Sequence, residues 1–105
     1  MTEKDKQILE ELKGRLCEVV EVLDLRLYGS RARGDAGEDS DMDVFLAVPD
    51  LDDELEDRLR EVSWEVGFDH RVLISMMIFT RHELEDSPLR SSQLVLNVKE
   101  EGIKI

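Results

Sequence analysis

Leu27–Val48 reads LYGSRARGDAGEDSDMDVFLAV, and this stretch decides the fold. A short apolar run ends in Gly29-Ser30. Ten residues of turn and charge follow, and Asp41-Met42-Asp43 leads into a second apolar run. The density of apolar and β-branched residues in DMDVFLAV predicts a strand. In a strand, residues two apart share a face, about 7 Å from each other along the chain. Asp41 and Asp43 therefore lie on one face, and Met42, Val44, Leu46 and Val48 on the other. Two like charges so placed repel unless something offsets them. Oxygen donors at that spacing suit a hard divalent cation such as Mg²⁺, which keeps several waters and adds substrate phosphates.

Acid-x-acid triplets are common in this chain: Glu3-Lys4-Asp5, Asp39-Ser40-Asp41, Asp50-Leu51-Asp52, Glu54-Leu55-Glu56 and Glu83-Leu84-Glu85 also occur. Asp41 and Asp43 differ in heading an apolar strand instead of lying on a helix surface. Gly29-Ser30 is the second half of the pattern. A glycine after a strand lets a ligand approach the backbone. A serine at a helix start offers a hydroxyl beside free N–H groups, which suits a phosphate. Taken alone, the pair is equally a strand, a turn and a helix cap.

Outward from this stretch, elements alternate. Leu9, Leu12, Leu16, Val19, Val20 and Leu23 recur at helical spacing, with Thr2 and Asp5 at capping positions, so a helix is expected from Glu3 to about Leu23. Leu25–Tyr28 is a strand. Ser30 caps a brief helix at Arg31–Gly34, and a loop runs through Ser40. After Pro49, Asp50 caps a helix carrying Leu51, Leu55, Leu59, Val62 and Val66, which Gly67 ends. Arg71–Phe79 is a third strand, Thr80 and Glu83 cap a short helical turn, and Ser87-Pro88 opens a last helix ended by Gly102. Ile103–Ile105 forms an edge strand. The expected fold is α/β (α+β): a small mixed β-sheet backed by helices, in a single domain spanning residues 1–105.

At 105 residues the chain can build one modest core, and its formal net charge of −12 disfavours direct contact with a nucleic-acid backbone. No apolar run approaches a membrane span and the N-terminus is charged, so a soluble cytoplasmic protein is expected. Cys17 is alone and is expected half-buried beside an apolar stripe. His70 and His82 are expected as solvated surface residues, Trp64 as packing or interface, and Met76 and Met77 as core and sheet-face residues. The third strand is apolar on both faces. One face is expected under helices; the other is left for a partner or a second copy, or is covered within the monomer.

The joint pattern is more specific than its parts. Gly29-Ser30, ten intervening residues and Asp41-x-Asp43 at a strand start resemble the signature of the DNA polymerase β-like nucleotidyltransferase superfamily. GSRARG…DSDMDV is most similar to the minimal nucleotidyltransferases, short catalytic domains often encoded beside a HEPN-domain protein. The resemblance implies that Asp41 and Asp43 bind two Mg²⁺ ions and that Gly29 and Ser30 hold the triphosphate of ATP or another nucleoside triphosphate. Arg33 and Arg31 are placed either to assist the phosphates or to pair with nearby acids. A hydroxyl attacks the α-phosphate and pyrophosphate leaves.

Family members commonly carry a third carboxylate on the strand after the long helix. Here that strand has no acid inside. Asp69, just before it, is the candidate third acid; otherwise Leu73 occupies the usual position, and Ser75 is a poor substitute for a metal ligand. Two functions follow from the resemblance. In one, the chain transfers AMP to a protein hydroxyl as antitoxin of a HEPN-type toxin. In the other, a degenerate nucleotidyltransferase fold neutralises or scaffolds its partner by contact.

Overall fold

A computed structural model describes residues 1–34, 37 and 40–105. Five helices and four strands are described: α1 Glu3–Cys17, β1 Asp24–Tyr28, α2 Ser30–Arg33, β2 Met42–Val48, α3 Asp53–His70, β3 Ile74–Thr80, α4 Arg81–Glu85, α5 Gln93–Glu101 and β4 Ile103–Lys104. The strands form one mixed sheet in the order β3-β2-β1-β4. β1 is antiparallel to both β2 and β4, and β2 runs parallel to β3. The expected α/β architecture with a mixed sheet is present.

Alternation along β2 divides the molecule into two layers. Met42, Val44, Leu46 and Val48 pack with Leu25, Leu27, Ile74 and Met76 under α1 and α3, which contribute Ile8, Leu9, Leu12, Leu16, Leu59, Val62 and Val66. The opposite face carries Phe45, Ala47 and Phe79, covered by Val95 and Val98 of α5, with Leu84, Leu94, Tyr28 and Met77 at the margin. Both faces of β3 are therefore packed over most of its length; Ser75 within it is exposed, and Leu73, just before the strand, is 62% exposed.

Several boundaries differ from those expected. α1 stops at Cys17, not near Leu23, because both Val19 and Val20 direct their N–H groups to the Leu16 carbonyl in a tight turn. Its capping box is the expected one, formed by Thr2 and Asp5. Cys17 faces solvent instead of being half-buried, because it lies off the Ile8–Leu9–Leu12–Leu16 stripe.

The cap of α3 is Asp52, whose side chain accepts from the Leu55 N–H at 2.7 Å, not Asp50. Gly67 does not end that helix but lies inside it. A Cβ there would sit 2.6 Å from the Val72 carbonyl oxygen, so the missing side chain lets the chain fold back closely. The helix ends instead at Arg71, in the left-handed region at φ 56°. β3 accordingly starts at Ile74, later than expected. Ser87-Pro88 opens only a 3-10 turn, Pro88–Ser91, and Ser92 caps α5 afresh.

Candidate active site

The site sits at the end of the second sheet face that α4 and α5 leave uncovered. Its strand register is direct: Tyr28 of β1 faces Asp43 of β2, which faces Ser75 of β3. Tyr28 and Asp43 are half-buried and Ser75 is exposed. Asp41 is exposed and lies one residue outside the ladder, which begins at Met42. The Met42 N–H donates to the Leu73 carbonyl at 2.9 Å, anchoring the strand directly after Asp41.

Gly29 joins the two halves of the motif. It has φ 77° and ψ −156°, a backbone region that essentially only glycine occupies. A Cβ on Gly29 would stand 2.5 Å from Asp43 Oδ2. The carboxylate thus rests against the bare glycine backbone, and the Gly-Ser turn and the aspartate strand are in contact. Gly29, not Ser30, is the N-cap of α2, and Ser30 is the first helical residue. The Gly29 carbonyl accepts from the Arg33 N–H at 3.1 Å. The N–H groups of a helix's first turn lack partners within the helix and point out of its start.

Electrostatics at the site follow from this packing. Desolvation pushes the Asp43 carboxyl above its ordinary range; the Asp41 charge pushes the same way and Arg33 opposes both. Burial also raises the Tyr28 phenol, helped by the Asp43 charge, and the Tyr28 hydroxyl donates to Met77 Sδ at 2.9 Å. Arg33 is exposed and acts on Asp43 through its charge.

Arg31 has a different placement. Its Nη1 pairs with Asp5 Oδ1 at 2.7 Å, and its Nε and Nη2 donate to the Ser40 carbonyl at 3.0 and 2.6 Å. Both side chains of the ion pair are largely buried, 12% exposed for Arg31 and 4% for Asp5. Of the two roles open to it from the sequence, pairing with an acid is the one seen. Asp5 was visible in the sequence only as a capping residue, because a partner twenty-six positions away leaves no local signal.

The structure does not bring Asp69 to the aspartate pair. It is exposed on the last turn of α3, over the opposite sheet face, where its charge acts on Arg15 of α1. Beside the pair stand Leu73, just before β3, and Ser75 within it, and among the described residues no cluster of three or more metal-ligating side chains occurs. The expected loop after Gly34 includes Asp35, Ala36, Glu38 and Asp39, which lie outside the described residues. His70 is half-buried and faces Glu11 at 3.0 Å, whereas His82 is solvated. Trp64 is 64% exposed and stacks on Phe68 with ring centroids 5.2 Å apart, so it contributes to the surface and not to the core. With Leu73 and the β3 edge these rings line a groove of about 780 Å³.

The model of the nucleotidyltransferase domain family matches residues 9–105. This chain belongs to that family. Nucleotidyl transfer is its reaction class. A search of curated protein sequences gives no match. Among solved structures, a toxin–antitoxin crystallised with AMP-PNP superposes with a TM-score of 0.60 at 19% identity, covering 98% of this chain and 72% of that one. A mutant of the toxin–antitoxin MntA-HpeT also gives 0.60 at 19% identity, covering 96% of this chain and 70% of that chain. A second MntA-HpeT mutant gives 0.57 at 17% identity, over 98% and 72% of the two chains. At these identities the likeness is one of fold. Within the described residues no helix is long and apolar enough to cross a membrane.

Proposed function

We propose that this chain transfers AMP from ATP to a hydroxyl group of a protein partner in the cytoplasm, and that the partner is a HEPN-type toxin which the transfer disarms. The observation that carries the reading is the contact between Gly29 and the Asp43 carboxylate, which joins a phosphate-binding turn to a cation-binding pair. The donor set fits the metal. Asp41 and Asp43 present hard oxygen ligands, and their mutual repulsion is what a divalent cation offsets. Magnesium held there, as two ions in the fullest form of this reading, would act as a Lewis acid on the transferring phosphoryl group.

The chain's own residues do the positioning. Gly29 lets the Asp43 carboxylate close up on the turn, and Ser30 donates its hydroxyl to a phosphate. The first-turn N–H groups of α2 point the same way, and Arg33 adds positive charge. Asp43 is held by the Tyr28–Asp43–Ser75 register, so its carboxylate faces the turn without reorganisation. Asp69 lies on the other layer and is given no part. A protein acceptor suits the chemistry better than a nucleic acid, because the chain carries a net charge of −12. The exposed Trp64, Phe68 and Leu73 are surface of the kind a protein partner covers. The fold neighbours crystallised as toxin–antitoxins, one of them with AMP-PNP, support the same reading.

A second reading is favoured by one observation: no third carboxylate joins the pair among the described residues. In it the chain neutralises its partner by binding alone. Incubation with the cognate toxin, Mg²⁺ and ATP labelled at the α-phosphate separates the two. Label on the toxin supports transfer. A stable complex without label supports the contact reading. Neither label nor complex overturns both.

A further inference from the structure

The Arg31 guanidinium lies between a buried carboxylate and the backbone just ahead of Asp41. Its Nε and Nη2 both donate to the Ser40 carbonyl, at 3.0 and 2.6 Å, while its Nη1 is held by Asp5 Oδ1 at 2.7 Å. The Ser40 carbonyl and the Asp41 nitrogen and Cα belong to one planar peptide unit. Holding that oxygen with two donors of one guanidinium edge fixes the plane from which Asp41 departs. On the other side, the Met42 N–H is fixed by the Leu73 carbonyl at 2.9 Å. Asp41 itself lies outside the strand ladder and is exposed, so the sheet alone does not hold it.

From this geometry we infer that Arg31 is a positioning residue for Asp41, and that Asp5 at the start of α1 is the counter-ion that holds Arg31 in place. The fork ties α2, which Gly29 caps and Ser30 begins, to the residue preceding the cation-binding pair. One side chain thereby sets the spacing between the two halves of the site. Its near-complete burial and its engagement with Asp5 and Ser40 remove it from the phosphate-binding set, which falls to Arg33 and the backbone. Lysine cannot replace it, because a single ammonium lacks the planar fork that grips a carbonyl and a carboxylate together. The inference rests on Asp41 and Asp43 binding a divalent cation.

The test compares the intact protein with its Arg31→Lys and Asp5→Asn variants, below the unfolding range of all three. Mn²⁺ affinity is read by electron paramagnetic resonance and ATP affinity in EDTA by calorimetry. Outer partners of metal ligands typically set metal affinity about 10- to 100-fold. Both variants are expected to weaken Mn²⁺ binding by about tenfold or more, while ATP affinity in EDTA stays within about twofold of the parent. Asp5→Asn keeps an oxygen for the α1 cap, so it reports the loss of the counter-ion even where Arg31→Lys fails to fold. Lower thermal midpoints with unchanged Mn²⁺ affinity would show a purely structural ion pair and overturn the inference. Weakened ATP binding in EDTA with Mn²⁺ affinity intact would make Arg31 a phosphate ligand and overturn it as well. No Mn²⁺ binding by the parent would overturn the cation-site reading, and this inference with it.

Discussion

The two faces of β2 are built from alternate residues of one heptapeptide and serve different ends. On one face Met42, Val44, Leu46 and Val48 are fully buried under α1 and α3. On the other, Phe45 and Ala47 are sealed by α5, but Asp43 at the strand's head is left half-open beside Tyr28 and Gly29. A strand pinned on one face by a packed core can hold a repelling carboxylate pair at the head of the other. The sealed face supplies the rigidity, and the open end spends some of it on chemistry.

Substitutions on the two faces should therefore separate stability from function. Leu46→Ala, on the sealed face, is expected to cost about 2–5 kcal/mol, a large part of the stability of a domain this size. Chemical denaturation measures it. Asp43→Ala should leave the fold in place and reduce nucleotidyl transfer by more than about a hundredfold, since the carboxylate acts on charge that develops in the reaction. If Asp43→Ala unfolds the protein as readily as Leu46→Ala, the division between the faces is lost.

Gly29→Ala tests the boundary between core and site. Its backbone lies in a region other residues avoid at about 1–3 kcal/mol, and the new methyl would collide with Asp43 Oδ2. Both a lower thermal midpoint and weaker Mg·ATP binding are expected. A loss of only one would mean that the turn and the strand are not in contact.

Ser30→Ala is a smaller change. Because Gly29 and not Ser30 caps α2, the midpoint should move little, while Mg·ATP affinity falls by about 1–2 kcal/mol, the scale of a hydrogen bond to a charged group. Calorimetry and thermal melts on the same sample distinguish this from a capping role.

The smallest effect concerns the free protein. Asp43 has its carboxyl raised by burial and by Asp41, so its ionised form disfavours the folded state. The penalty is absent below the ordinary carboxylate range and develops as pH climbs through the raised value. Asp43→Asn removes it. At neutral pH the metal-free variant should melt up to about 4 °C higher than the parent, less than about 1 kcal/mol because solvent screens a half-open group. In acid the two should converge. Melting curves against pH that run parallel would contradict this origin of the shift.

The parts of this molecule legible from sequence are those with local causes. Alternation in β2, the Thr2–Asp5 and Thr80–Glu83 boxes, and the strand order of acids and apolar residues all depend on near neighbours. Boundaries set by tertiary packing were not legible. Gly67 reads as a stop but serves a close approach of the Val72 carbonyl, and α1 ends early at a turn on Leu16. The Gly29–Asp43 contact is visible only once β1 and β2 are paired. Arg31 and Asp5 had no signal linking them, since their pairing depends on how α1 crosses the start of α2. Asp69 was suggested by its nearness in sequence to β3, but α3 holds it over the other face.

The central claim is that Asp41 and Asp43, with the turn that rests on Asp43, form a cation-dependent nucleotide site. Calorimetric titration of ATP into the protein with and without Mg²⁺, repeated with a folded Asp41→Asn/Asp43→Asn variant, tests it most directly. The account predicts binding that Mg²⁺ tightens in the parent and no longer tightens in the variant. Equal Mg²⁺-dependent binding by both proteins would contradict it.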